Sequence, residues 1–169
     1  SNRRRRPLTA PPAGHDNTGM QDPHDSYQNP LSERYASQEM LQCFSANTRY
    51  RTWRRLWIAL AEAEAELGLG ITPAQIEEMR RNVDGIDYER VAKVERDLRH
   101  DVMAHITVFG EQCPAAKPII HLGATSCYVT DNTDLILMKR GLEILRDKLV
   151  LLLAALRDFA LEWKALPAL

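Results

Sequence analysis

The polar residues with the most chemical reach stand in two short runs. The first is Arg99-His100-Asp101, with Arg96 before it and His105 after it. A guanidinium clamps an anion with a rigid fork of donors. An imidazole donates to an anionic group or moves a proton near neutral pH. On one helix Asp101 and His105 sit at i,i+4 and can touch. His100 and His105 stand about 140° apart around a helix, so they do not converge on one metal. The rival reading is a solvated, ion-paired helix face, which local pattern favours. The second run is Ile119-Ile-His-Leu-Gly-Ala-Thr-Ser-Cys-Tyr-Val-Thr-Asp-Asn132. A glycine turn there places Thr125 and Ser126 just ahead of a long helix. Hydroxyls and backbone N–H groups at a helix start form a ready anion site. The rival is an ordinary cap made by Thr130 or Asp131, but two adjacent hydroxyls upstream exceed what capping requires. Arg34 and Tyr35, in Ser32-Glu-Arg-Tyr-Ala-Ser37, read locally as surface residues.

The elements that must position these residues are helices. Ser37 caps a short helix through about Phe44. A second helix covers roughly 48–67, with Trp53, Leu56, Trp57, Leu60 and Leu67 on one stripe. Glu62, Glu64 and Glu66 are expected on its wet faces, and Gly68 and Gly70 end it. Thr72-Pro-Ala-Gln75 announces a third helix by a capping box with proline at the first position. Asp87 caps a single helix from about Tyr88 to Phe109, ended by Gly110, with a stripe of Val91, Val94, Leu98, Val102, Ile106 and Phe109. A connection follows over 110–127. From about 130 to 165 Leu135, Met138, Leu142, Leu145, Leu149, Leu152, Leu156, Phe159 and Trp163 alternate spacings of three and four, a heptad seam. Such a helix spans ~50 Å, too long to be covered by the ~100 residues before it. Its partners are expected later in the chain or in other subunits. There is no strand alternation and no repeat, so the fold class is all-α.

The composition of the 169 residues is that of a globular protein, 44% hydrophobic and 27% charged, with a formal net charge of −1. Nothing global points to nucleic acid or a membrane. Residues 1–19 carry Arg3 to Arg6 against a single aspartate, so the basic patch belongs to a tail. RNA binding by that tail is a weak alternative. Residues 1–30 read as a disordered tail. The start lacks an apolar signal core, a transit peptide is disfavoured, and Met20 is a candidate natural start. Cys43, Cys113 and Cys127 are an odd set without CxxC spacing, which reads as free thiols in a reducing compartment. No Cys/His cluster has zinc-ligand spacing, so no metal is expected.

Four segments carry a resemblance: Arg34-Tyr35-Ala-Ser37, Tyr50-Arg-Thr-Trp53, Leu98-Arg-His-Asp-Val-Met-Ala-His105 and Ile120-His-Leu-Gly-Ala-Thr-Ser-Cys-Tyr128. In this order and spacing, over roughly residues 25–169, the chain resembles the adenylosuccinate lyase family, animal type, of the fumarase/aspartase superfamily. The resemblance implies an N-terminal helical domain over 31–127. It also implies that 128–169 starts the central helix bundle of a homotetramer. It implies β-elimination of fumarate from adenylosuccinate, giving AMP, and from SAICAR, giving AICAR. No cofactor, nucleic acid or membrane is implied, and the location is cytoplasmic. By motif, Arg34 and Tyr35 bind the nucleotide end, and Arg99, His100 and Asp101 line the site. His100 assists as acid/base or binds phosphate, and Thr125 and Ser126 hold a succinyl carboxylate. The family's principal acid, a second histidine after a Leu-Pro-x-Leu like Leu166-Pro-Ala-Leu169, is not in this chain. Nor is the serine base of a later Gly-Ser-Ser loop. The expectation is an N-terminal fragment, inactive alone. The alternatives are another member of the superfamily, such as argininosuccinate lyase, or a non-catalytic helical oligomerisation module.

Overall fold

The computed structural model describes residues 29–167 and divides the chain into two compact units, Ser1–Tyr35 and Ala36–Leu169. The expected tail lies almost wholly outside the described residues. In the first unit the described part is a π-helical turn, Leu31–Tyr35, opened by the Asn29 side chain, which accepts from the Leu31 N–H at 2.9 Å.

The second unit consists of α1 (Gln38–Cys43), α2 (Ala46–Glu66), α3 (Pro73–Arg81), α4 (Tyr88–Leu98), α5 (Asp101–Gln112) and α6 (Ser126–Trp163). No strand occurs among the described residues. The starts follow from side chains that satisfy orphan N–H groups. Ser37 accepts from Met40, Ser45 from Thr48, and Asp87 from Arg90. The capping box of Thr72 and Gln75 is fully formed, with Pro73 behind it. The core joins Trp53, Trp57, Ile58 and Ala61 of α2 to Met79 of α3, Val102 and Phe109 of α5, and Val129 of α6.

The expected helix over 88–109 is two helices. Arg99 is left-handed at φ 55, and His100 is extended as the N-cap of α5. The chain reverses there, so α4 and α5 form a hairpin that buries Val91 and Val94 against Ala104 and Val108. Arg90 meets Glu111 through a two-pronged ion pair at 2.6 and 3.0 Å. In one straight helix those residues would stand ~30 Å apart. The apolar period runs through the break without a fault, so periodicity does not reveal it. Gly110 lies inside α5 rather than ending it.

Arg54 is wholly buried; its guanidinium donates to the carbonyls of Asn82 and Gly85 and lies 4.4 Å from the Phe109 ring centroid. It thereby holds the α3–α4 loop against α5. Burial without a carboxylate partner lowers its pKa to about 10.

On α6 the face turned to its own chain is Val129, Thr133, Leu137, Gly141 and Ile144. A Cβ on Gly141 would stand 3.0 Å from the Phe44 ring, so glycine permits this close approach. The heptad seam lies on a different face. Every one of its nine residues, from Leu135 to Trp163, is 47–63% exposed.

Two titratable groups sit in the core. His105 stacks on Tyr50 at 3.9 Å and meets Trp53 edge-on. Burial, helped by the Arg54 charge, lowers its pKa to about 4. Glu64, expected on a wet face, is 9% exposed, and its Oε2 finds no hydrogen-bond partner. It is turned inward at the end of α2, where the 113–125 connection covers that helix, and desolvation raises its pKa. The two groups give opposite pH dependences. His105 should cost no stability above its ordinary pKa of 6.5, and up to on the order of 3 kcal/mol as pH falls from there towards 4. His105→Phe should flatten that acid limb in urea melts. Glu64 should become costly as pH rises above the ordinary carboxylate range. Glu64→Gln should therefore raise Tm at pH ~7 and leave it unchanged at pH ~4.

Candidate anion-binding site

Three stretches of the Ala36–Leu169 unit build the site. The first is the α4–α5 junction. The Arg99 amide closes α4 on the Glu95 carbonyl at 2.7 Å. Its side chain lines a shallow concavity of about 430 Å³ with Ala92, Glu95 and Arg96. At His100 the Nδ1 accepts from the Met103 N–H at 3.4 Å and lies 3.5 Å from Asp101 Oδ1. It cannot serve both at once. Neutral, it caps α5; protonated at Nδ1, it pairs with Asp101, whose Oδ1 also accepts from the Val102 N–H at 2.7 Å. Both side chains are about half exposed, at 45% and 56%.

The second stretch is the connection from α5 to α6. It is held to α3 from both directions: Gln75 Nε2 donates to the Ala115 carbonyl, and Glu78 Oε2 accepts from the Ala116 N–H. Overlapping turns then bring the chain to His121, at φ 66, and Gly123, at φ 64. Arg99 and His121 are the two non-glycine residues with positive φ among the described residues. Such backbone costs of order 1–3 kcal/mol and persists where the surroundings over-determine it, as at binding sites. The surroundings of His121 are on view. The buried indole of Trp57 donates from Nε1 to His121 Nδ1 at 3.0 Å. Burial, and then the charge of neighbouring His100, hold the imidazole below its ordinary pKa.

The third stretch is the start of α6. Thr125 is the N-cap residue and Ser126 the first helical residue. Thr130, one candidate cap, lies a turn inside the helix and bonds back to the Ser126 carbonyl, with Asp131 beside it. Thr125 makes no side-chain capping bond, which sets α6 apart from the other five helices of this unit. The Tyr128 N–H turns back to the Thr125 carbonyl at 3.0 Å, so of the first turn of this 38-residue helix the Ser126 and Cys127 N–H groups are the ones turned to an outside acceptor. Tyr128 anchors this end by donating to the Leu56 carbonyl at 2.9 Å. Glu64 lies below the turn, with Oε1 3.8 Å from where a Cβ on Gly123 would stand.

The structure thus sets His121 on the turn just ahead of Thr125 and Ser126, with His100 near enough for its charge to act on His121, while Arg99 lines a concavity of α4 with Ala92, Glu95 and Arg96. Arg34 and Tyr35 stand exposed on the π-helical turn of the other unit. Sequence reasoning assigned no role to His121. The signal that finds it is Trp57: a buried indole N–H needs an acceptor, and the nearest one stands 64 residues on. Uncapped N–H groups, imidazoles and a guanidinium are the donors that an oxyanion or phosphate requires. Among the described residues no group of three His, Cys, Asp or Glu side chains is placed to hold a metal ion. No described helix is long and apolar enough to cross a membrane.

No protein-family model matches the chain. Single relatives do. Over 149 residues it is 52% identical to the adenylosuccinate lyase of Saccharomyces cerevisiae, covering 86% of this chain and 31% of the relative. Against the adenylosuccinate lyase of Schistosoma mansoni it is 48% identical over 145 residues, 86% of this chain and 30% of that one. An archaeal adenylosuccinate lyase, from Methanocaldococcus jannaschii, is 36% identical over 138 residues, 80% of this chain and 30% of its own length. The fungal and flatworm enzymes are nearer than the archaeal one, in line with the animal-type resemblance. The chain spans about three tenths of the length of the curated relatives it matches. By this similarity, colinear with the motifs that build the site, the chain belongs to the adenylosuccinate lyase family.

Proposed function

We propose that this chain supplies the anion-gripping part of an adenylosuccinate lyase active site, in an enzyme that eliminates fumarate from adenylosuccinate and from SAICAR. The observation that carries the reading is His121, held by the Trp57 indole on the turn that leads into the uncapped start of α6. The elimination removes a proton beside a carboxylate and passes through a dianionic aci-carboxylate. Fixed donors aimed at that charge lower the barrier because they need no reorganisation when it forms. Thr125, Ser126 and the N–H groups behind them suit the succinyl carboxylate. Arg99 and His100 suit a second anionic end, with His100 also able to assist a proton transfer. Arg34 and Tyr35 are proposed for the nucleotide end.

The exposed seam of α6 has the spacing of a bundle helix, and we take its partners to be the same seam in other copies, in a cytoplasmic homotetramer. In the enzyme that contains this chain, Ser126→Ala and His100→Ala should each lower kcat/KM for adenylosuccinate about 10²–10³-fold. The melting temperature should barely move in Ser126→Ala and should fall in His100→Ala, which removes the cap of α5 at a cost of about 1 kcal/mol. AMP should protect the enzyme from inactivation; protection by an arginine-containing succinate and not by AMP would turn the reading towards argininosuccinate lyase. Leu145→Asp with Leu152→Asp should abolish assembly in sedimentation runs. The 169-residue chain assayed alone should release no fumarate, because its site and seam both stand open to water. Turnover by that polypeptide would refute the last point.

A further inference from the structure

The indole of Trp57 does more than fill the core. It is 1% exposed, stacked on Phe109 at 6.0 Å and set edge-on to Trp53 at 6.2 Å, so it cannot turn. Its N–H points at His121 Nδ1, 3.0 Å away. An indole N–H only donates. Nδ1 must therefore carry a lone pair, and the neutral imidazole must hold its proton on Nε2. The opposite tautomer would set two N–H groups against each other in a buried place. The same bond fixes the ring plane, since turning the ring over would bring a carbon to the indole. His121 is also the residue whose φ is forced positive at the turn leading into α6.

We propose that Trp57 is a positioning residue, whose indole N–H locks His121 as a fixed Nε2–H donor directed at the ligand. The proposal rests on the anion-site reading for the identity of the ligand, but not for the lock itself. A neutral donor suits this place. The titratable groups around the turn are His100 with Asp101 at the α4–α5 junction, Glu64 from α2 and Tyr128 from α6. Burial disfavours a charged imidazole at this turn, whereas an Nε2–H dipole donates without that cost. Partners that fix a functional histidine's tautomer and orientation act in this way at metal and catalytic sites.

Two measurements test it. Nitrogen-15 spectra of the 169-residue chain report which ring nitrogen of His121 carries the proton. Wild type should show a bare Nδ1 and a protonated Nε2 across neutral pH. Trp57→Phe keeps the ring and removes the N–H. It should give averaged shifts for both nitrogens and a His121 titration moved to higher pH. A wild-type Nδ1–H, or unchanged His121 shifts in Trp57→Phe, would overturn the lock. The second measurement leaves the core intact. In the whole enzyme, His121→Gln places an amide N–H near the Nε2 position and His121→Asn near the Nδ1 position. With AMP as the probe, His121→Gln should bind on the order of tenfold more tightly than His121→Asn. Equal affinities, or the reverse order, would overturn the donor role. If the nitrogen shifts behave as expected and wild type does not bind AMP, the lock stands and the lyase reading fails.

Discussion

The site depends first on one buried side chain. Trp57 touches Trp53 within α2, Phe109 of α5 and His121 of the connection, and so ties three stretches of chain at one point. Its large apolar area anchors α5 against α2 by ordinary burial. Its single polar atom then selects where the connection must pass, because an unsatisfied indole N–H in the core would cost about 1–3 kcal/mol. Packing and polar satisfaction therefore act together. The core sets the distance between α2 and α5, and the hydrogen bond sets the height of the turn that presents His121 and the start of α6.

The second constraint is the reversal at Arg99-His100. The α4–α5 hairpin holds its halves together with four small apolar side chains and with Arg90 on Glu111. Exposed ion pairs contribute little on their own, about 1 kcal/mol or less. The left-handed residue at the tip is held by the pairing of the two helices on either side. His100 is thus presented on a helix start rather than along a helix face. Its imidazole can cap α5 or pair with Asp101, depending on where its proton lies.

Much of this was legible in the sequence. The starts of α1, α3 and α4 follow from their capping residues Ser37, Thr72 and Asp87, and Thr72 with Gln75 announces α3 outright. The seam of α6 was visible as a repeat with too few residues to cover it, and its nine positions are all exposed. What stayed hidden had physical reasons. The break at Arg99 leaves no trace because Val94, Leu98 and Val102 keep helical spacing across it, and arginine is not a residue that announces a left-handed turn. Glu64 sits at a position that charge assigns to solvent; only the connection folding over α2 buries it. The role of His121 depended on a tryptophan 64 residues away, a pairing no local window contains. Sequence pattern sets the start of α6 one turn late, because Thr130 and Asp131 have the chemistry of caps while the actual N-cap, Thr125, caps nothing with its side chain.

The proposed function requires that the anionic ends of adenylosuccinate meet these donors. A crystal structure of the proposed lyase with adenylosuccinate bound would decide it. The account predicts substrate oxygens within about 3 Å of His121 Nε2, of the Ser126 hydroxyl and of the first N–H groups of α6. A structure in which these atoms face water or protein, with the substrate held elsewhere, would contradict it.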